Sequence, residues 1–258
     1  MAKPILKTDE EIVLLREGGK RLARILRLLG EALSPGVQTG DINELALKLI
    51  EEAGGEPSLV NYKPAFAKRA YPAAVCVSVN DEVVHGIPNE NNRVLLEGDI
   101  VGLDIVMTYS GLMVDTAATF PVGKIDEAAE RLLTVTRQAL FSGIKAARAG
   151  ARMGDIGSAI EEVGEGAGYG IVYELGGHGV GYHVHEEPMV PNIGDPGTGM
   201  KLEENLVLAL EPMFNEGVPE VELQKDGYTY KTADGKRSAH FEHTIVITKK
   251  GAEILTQE

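Results

Sequence analysis

The chain has 258 residues, 43% of them apolar, with 31 glycines, a single cysteine and a formal net charge of −14. That length allows a sizeable core; the lone Cys76 excludes an intrachain disulfide and suits a reducing cytoplasm, and the acidic balance disfavours broad nucleic-acid binding, which needs a cationic face. No stretch approaches the roughly 18 apolar residues of a membrane span, and "MAKPILKTDEEIVLL" has no basic segment leading into an apolar one, so neither a membrane helix nor a secretory signal is expected.

In chain order, Thr8 and Glu11 fit a capping box that opens a helix running to about Leu33, where "SPG" stops it. Arg16, Lys20, Arg24 and Arg27 form a basic stripe along it. The plain reading is a solvated helix face, and the sharper one is an electrostatic contact to an anionic partner such as RNA. A second helix follows "TGD" and ends at Gly54–Gly55. Cys76, in "AAVCVSV", reads as a small buried core residue. "GDIVGLDIVMTYSGLMVDTAATF" (98–120) reads as a β-hairpin of two apolar runs around "TYSG". A long helix is expected in "GKIDEAAERLLTVTRQALFSGIKAARAG" and a shorter one in "MGDIGSAIEEVGEGAG". The glycine-rich stretch "ELGGHGVGYHVHEEPMVP" (174–191) then gathers three of the chain's six histidines.

The order of elements repeats. "PGVQTGDINELALKLIEEAG" (35–54) aligns without a gap on "AGARMGDIGSAIEEVGEGAG" (149–168). "KTDE" is echoed by "KIDE", "HGIP" by "HEEP", and "LEGDIVGLDIVM" (96–107) by "LEENLVLALEPM" (202–213). We read this as a duplicated helix–helix–strand unit, giving one domain over 1–258 with halves at about 7–120 and 121–250. A pseudo-twofold would bring equivalent polar residues of both halves near one axis.

Acids lie where burial makes them costly. With the hairpin centred on Tyr109–Ser110, Asp104 and Asp115 fall opposite each other on one face, with Cβ atoms about 4.5–5.5 Å apart. "Tyr-Ser" is a poor type I′ pair, so a register shift of one stays open. Two facing carboxylates repel, and burial penalises both unless they share a proton or bind a cation. Glu211 ends the apolar run "LVLALEP" and Glu242 begins the strand "EHTIVIT". With a histidine nearby, four acids and an imidazole suit a two-metal site of hard divalent ions. Competing motifs fail: "HEEPM" lacks a second zincin histidine, and there is no phosphate-binding loop and no G-x-S-x-G elbow.

With these residues in view, the chain resembles the type I methionine aminopeptidases. "VCVSVNDEVVHGIP", "GDIVGLDIV…MVDTAATF", "GGHGVGYHVHEEP", "LALEPMF" and "KRSAHFEHTIVIT" follow that family's signatures in order, over nearly the whole chain. The resemblance implies an α/β (α+β) pita-bread fold, with pseudo-twofold halves around a curved antiparallel sheet. It implies removal of the N-terminal methionine from nascent proteins, with a small second residue preferred. It implies two divalent metal ions, drawn from Co, Mn, Fe or Zn, held by Asp104, Asp115, His178, Glu211 and Glu242, with Asp115 and Glu242 bridging. Glu211 would also move the proton of the attacking water, and His85 and His185 would donate hydrogen bonds to the peptide and its oxyanion. Tyr71, Cys76 and Tyr228 would neighbour the substrate side chain, while His183 is an incidental loop residue. Val184 stands where these enzymes often carry a large aromatic, Tyr228 where some carry tryptophan, and Met113 and Gly102 replace polar residues beside the two aspartates.

The expected partners are nascent polypeptide N-termini, with a ribosome contact through the basic helix as the sharper reading of that stripe; a cytoplasmic monomer without membrane attachment is expected. Two rival functions share the fold: an Xaa-Pro aminopeptidase or prolidase, which usually carries an extra N-terminal domain, and a non-catalytic module, which would have lost metal ligands.

Overall fold

The computed structural model describes residues 4–65 and 67–258. Helix α1 (Asp9–Ala32) begins at the expected capping box: Thr8 accepts from the Glu11 N–H, and the Glu11 carboxylate accepts from the Thr8 N–H. Helix α2 (Thr39–Glu52) ends before Gly54, whose φ of 71° suits glycine. Helix α3 (Glu127–Ala146) is capped by Asp126, and α4 (Met153–Ala167) ends on the left-handed Gly168. All four lie in the stretches the sequence marked, except that α2 takes in "TGD" and so opens three residues before its expected start.

The strands of the first half are β1 (Glu56–Pro57), β2 (Cys76–Val79), β3 (Glu82–Val84), β4 (Ile100–Tyr109) and β5 (Leu112–Pro121). After the second helix pair come β6 (Gly170–Ile171), β7 (Gly176–Gly179), β8 (Glu186–Pro191), β9 (Val207–Leu210) and β10 (Met213–Asn215). The chain closes with β11 (Val221–Leu223), β12 (Tyr230–Thr232), β13 (Ser238–His240), β14 (Glu242–Thr248) and β15 (Gly251–Ile254).

The main sheet runs β1-β4-β5-β14-β9-β7-β8, with β2 also beside β4 and β15 beside β14. Every pairing in it is antiparallel. Outward from its centre the order is β5, β4, β2 on one side and β14, β9, β7 on the other. The two innermost strands therefore come from opposite halves of the chain. One apolar cluster joins α1 and α2 to β4 and β5 through Leu22, Ile50, Leu103 and Val114; a second joins α3 and α4 to β9 and β14 through Leu140, Ile160, Leu208 and Ile245. α1 lies close to the C-terminal segment at Gly19, where a Cβ would sit 2.2 Å from the Leu255 carbonyl oxygen.

The hairpin differs from expectation by one turn residue. Tyr109 pairs with Leu112, so the turn is Ser110–Gly111, and Asp104 faces Ala117 rather than Asp115. Both turn residues have positive φ, 51° and 82°, as a type I′ turn requires. Glycine meets that demand, whereas a turn centred one residue earlier would put it on Tyr109. Because the pairing shifts by two, both aspartates stay on one face, now as diagonal neighbours.

Candidate metal centre and peptide pocket

Strand register alone brings the acids together. Ala117 on β5 is flanked by Asp104 on β4 and by Glu242 on β14. Asp115 lies two residues along β5, on the same face. Its backbone is clamped by Thr244, whose hydroxyl accepts from the Asp115 N–H and donates to the Asp115 carbonyl. On the other side, His178 of β7 faces Ala209 of β9, and Ala209 faces Thr244 of β14. Glu211, just past β9, is therefore carried toward the same point. His178 Nε2 lies 3.6 Å from Glu211 Oε1 and 3.8 Å from Asp115 Oδ2.

Asp115, His178 and Glu242 each offer a donor atom, all within 4.8 Å of one another. Asp115 and Glu242 are 4% and 2% exposed. Their Oδ1 and Oε1 atoms are buried with no hydrogen-bond partner among the described residues, a costly state for a carboxylate oxygen. Burial pushes the Asp104 carboxyl up to about 6. It pushes Asp115, Glu211 and Glu242 well above the usual range, and the acids raise one another further. Burial holds His178 down at about 3, hence neutral at pH 7, with Nδ1 turned to the Gly179 carbonyl at 2.9 Å and Nε2 toward the acids. Clustered buried carboxylates, orphaned oxygens and one neutral imidazole fit a divalent metal centre.

The acids form one wall of a pocket whose other walls are apolar. Leu59, Tyr62, Tyr71, Cys76, Val106, Val184 and Tyr228 line it, with His85 and His185 beside the acids. The family model described as metallopeptidase family M24 matches residues 13–249. The chain belongs to metallopeptidase family M24.

Within M24 it is similar to methionine aminopeptidases over its whole length. It is 43% identical to the methionine aminopeptidase of Aquifex aeolicus, with 98% of each chain covered. It is 40% identical to methionine aminopeptidase 1 of Bacillus subtilis, with 98% and 99% covered. The crystal structure of the Thermotoga maritima methionine aminopeptidase matches with a TM-score of 0.94 at 42% identity, covering 99% of this chain and 100% of that one. The Pyrococcus furiosus prolidase matches at 20% identity with a TM-score of 0.78, and only 66% of that chain is covered. The prolidase likeness speaks for the fold alone. The fold is thus the pita-bread fold, the chain is an M24 peptidase, and the Xaa-Pro alternative is not favoured.

The substrate-side residues of this M24 chain are arranged as follows. His85 sits at a φ of 61°, unusual for a non-glycine residue, with a buried Nδ1 that has no hydrogen-bond partner among the described residues; burial lowers it to about 4. His185 Nδ1 is 2.6 Å from the Tyr62 hydroxyl, and its ring meets His178 edge-on at 4.4 Å. The Tyr71 hydroxyl donates to the Gly86 carbonyl and that of Tyr228 to the Arg69 carbonyl, so both rings stand fixed. Cys76 is buried and opposite Asp104. His183 is exposed.

Four lining residues escaped the sequence reading: Leu59, Tyr62, Pro64 and Val106. So did His240, buried, with Nε2 3.6 Å from Glu211 Oε2. Val106 follows Asp104 by two on one strand and was legible from alternation. Tyr62 sits in irregular chain and gave no signal.

Proposed function

We propose that the chain is a dinuclear, metal-dependent methionine aminopeptidase that removes the initiator methionine from nascent chains with a small second residue. The observation that carries this reading is the convergence of Asp104, Asp115, His178, Glu211 and Glu242 at the floor of an otherwise apolar pocket. Asp115 and Glu242, on the two central strands, would hold both ions. Asp104 would complete one shell, and His178 with Glu211 the other. Bound divalent ions would activate water and polarise the scissile carbonyl.

The chain's own residues do the rest. Glu211 takes the proton of the attacking water and hands it to the leaving amine. His85 and His185 donate hydrogen bonds to the peptide and to the developing oxyanion. Tyr71, Cys76 and Tyr228, with Leu59, Tyr62 and Val106, enclose the methionyl side chain. Val184, smaller than an aromatic, leaves that wall thinner, and apolar packing missing there is worth about 1–3 kcal/mol of discrimination. We further read residues 1–258 as one domain whose halves, about 7–120 and 121–250, descend from a duplicated unit. The mirrored strand order supports this.

A cytoplasmic setting fits the single cysteine, and no helix among the described residues is long and apolar enough to cross a membrane. The basic stripe gives a ribosome contact little support. Arg16 pairs with Glu253, and Arg27 with Glu258 and Glu31, within the molecule.

The test is hydrolysis of a Met-Ala-Ser peptide by chelated protein restored metal by metal. Activity should vanish on chelation, return with Mn, Fe, Co or Zn, and fall at least about a thousandfold in Glu211→Gln. Chelator-resistant activity would overturn the reading, as would a Glu211→Gln variant as active as the parent. Cleavage of an Xaa-Pro peptide in preference to Met-Ala-Ser would overturn the substrate.

A further inference from the structure

Lys7 has a charged side chain with none of its surface exposed. Its ammonium lies 2.7 Å from Glu186 Oε2, 3.3 Å from the Ile5 carbonyl oxygen and 4.3 Å over the Tyr182 ring. Glu186 has a side chain only 4% exposed. Its second oxygen accepts from the backbone N–H groups of Tyr182, at 2.5 Å, and His183, at 3.0 Å. The Tyr182 hydroxyl donates to Glu11, whose other oxygen caps α1. The fit is close: a Cβ on Gly181 would stand 2.2 Å from Lys7 Cε. The arm before α1, the first turn of α1 and the 181–186 loop thus form one closed unit, and that loop presents Val184 and His185 to the pocket.

A buried ion pair is a poor source of stability, because desolvating both charges offsets their attraction; apolar residues of similar volume would often serve as well. What this pair supplies is register. Lys7 holds one oxygen of the Glu186 carboxylate, and the two N–H contacts of the other fix the backbone immediately before Val184 and His185. Gly179 of β7 pairs with Glu186 itself, but His178 has an anchor of its own outside the clamp, its pairing with Ala209 of β9.

We propose that Lys7 is a positioning residue for peptide cleavage: by holding Glu186 in place it sets the 182–185 backbone, and so the placement of His185 and Val184 against the substrate. This rests on the reading of His185 as a substrate-side hydrogen-bond donor.

The experiment uses full-length manganese-loaded protein and Met-Ala-Ser, with Lys7→Met, Glu186→Gln and the double variant made in both the parent and a His185→Ala background. The Glu186→Gln side chain keeps an oxygen for the two N–H groups while losing the charge. Lys7→Met is expected to lower kcat/KM by about 10- to 100-fold. The double variant, free of the stranded carboxylate, should recover part of that loss and remain about threefold or more below the parent. In His185→Ala protein the same changes should cost less than about threefold further, since the group they position is gone. Manganese affinity, measured by calorimetry, should stay unchanged in every variant that folds.

Parent-level kcat/KM in a folded Lys7→Met protein overturns the proposal. If Lys7→Met does not fold, parent-level activity of the double variant does so. A loss of equal size in the His185→Ala background, or a matching fall in manganese affinity, overturns it too, by showing a general structural effect. Full activity of His185→Ala alone would instead remove the reading beneath the proposal, an outcome separable from any result at Lys7.

Discussion

Four carboxyl groups line one pocket, Asp115 and Glu242 buried and Asp104 and Glu211 half-buried, and each is raised above its ordinary range by burial first. Without a cation they therefore hold protons that an unfolded chain would have released. As pH rises from the ordinary 3.8 through the raised value of about 6 at Asp104, the unfolded state loses its proton first and the folded state loses stability. Two expectations belong at this scale. Metal uptake near pH 7 should release protons from the carboxyls and none from His178, already neutral with a value of about 3. Calorimetry in buffers of different ionisation enthalpy measures that release, and affinity should rise with pH. Asp115→Asn should abolish activity yet stabilise the chelated protein by about 1–2 kcal/mol at pH 7.5, a gain that shrinks toward pH 4. Urea melts of both proteins across that range check it. The acids were legible in sequence because a charge inside an apolar run is locally conspicuous. His240 was not, because nothing local says that a histidine in "AHFEH" will lie beside Glu211.

Elements carry the site through their registers, and two of them can be tuned. The Ser110–Gly111 turn asks Ser110 for a φ of 51°, which asparagine adopts more readily. Ser110→Asn should therefore raise stability by roughly 0.5 kcal/mol without touching activity, as read by thermal melts and peptide turnover. Strand β7 has the opposite character. A Cβ on Gly177 would meet the Ala209 carbonyl oxygen at 2.1 Å, so Gly177→Ala must push β7 away from β9 and carry His178 with it. That variant should lose about 2 kcal/mol or more and bind metal weakly. Calorimetric metal titration distinguishes this from a simple loss of stability, because Asp115 and Glu242 on the central strands stay in place. The helices were readable because their caps and stop signals are contiguous: Thr8 with Glu11, "SPG", and the left-handed Gly168. Strands of three or four residues such as β9, β10 and β13 are too short to show a period of their own.

At the scale of the whole molecule, the centre is a seam. Asp104 and Asp115 come from one half of the chain, and His178, Glu211 and Glu242 from the other. Divalent ions that bind only the folded arrangement should stabilise it by mass action, by about 2.7 kcal/mol at a free concentration of 100 Kd. The melting temperature should rise with manganese in the parent and stay flat in Asp115→Asn. A rise of equal size in both proteins would place the stabilising ions elsewhere. The net charge of −14 is spread so that the one basic stripe is largely answered by acids from the C-terminal segment, Glu253 and Glu258. A helical spacing shows which cations share a face; it does not show which distant acids that face will meet.

The sequence by itself determined what is written within short windows: where the four helices lie and stop, which apolar runs pair as a hairpin, which carboxylates are out of place, and which family the chain resembles. Those features follow from bonds and contacts among near neighbours. Only the tertiary structure decided that β5 would lie beside β14, so that Glu242 stands across Ala117 from Asp104. The same holds for the Lys7–Glu186 pair, which closes the N-terminal arm onto the pocket's loop. These pairings join residues far apart along the chain. Their geometry is set by how two helix-backed half-sheets pack against each other, and no local pattern encodes that packing.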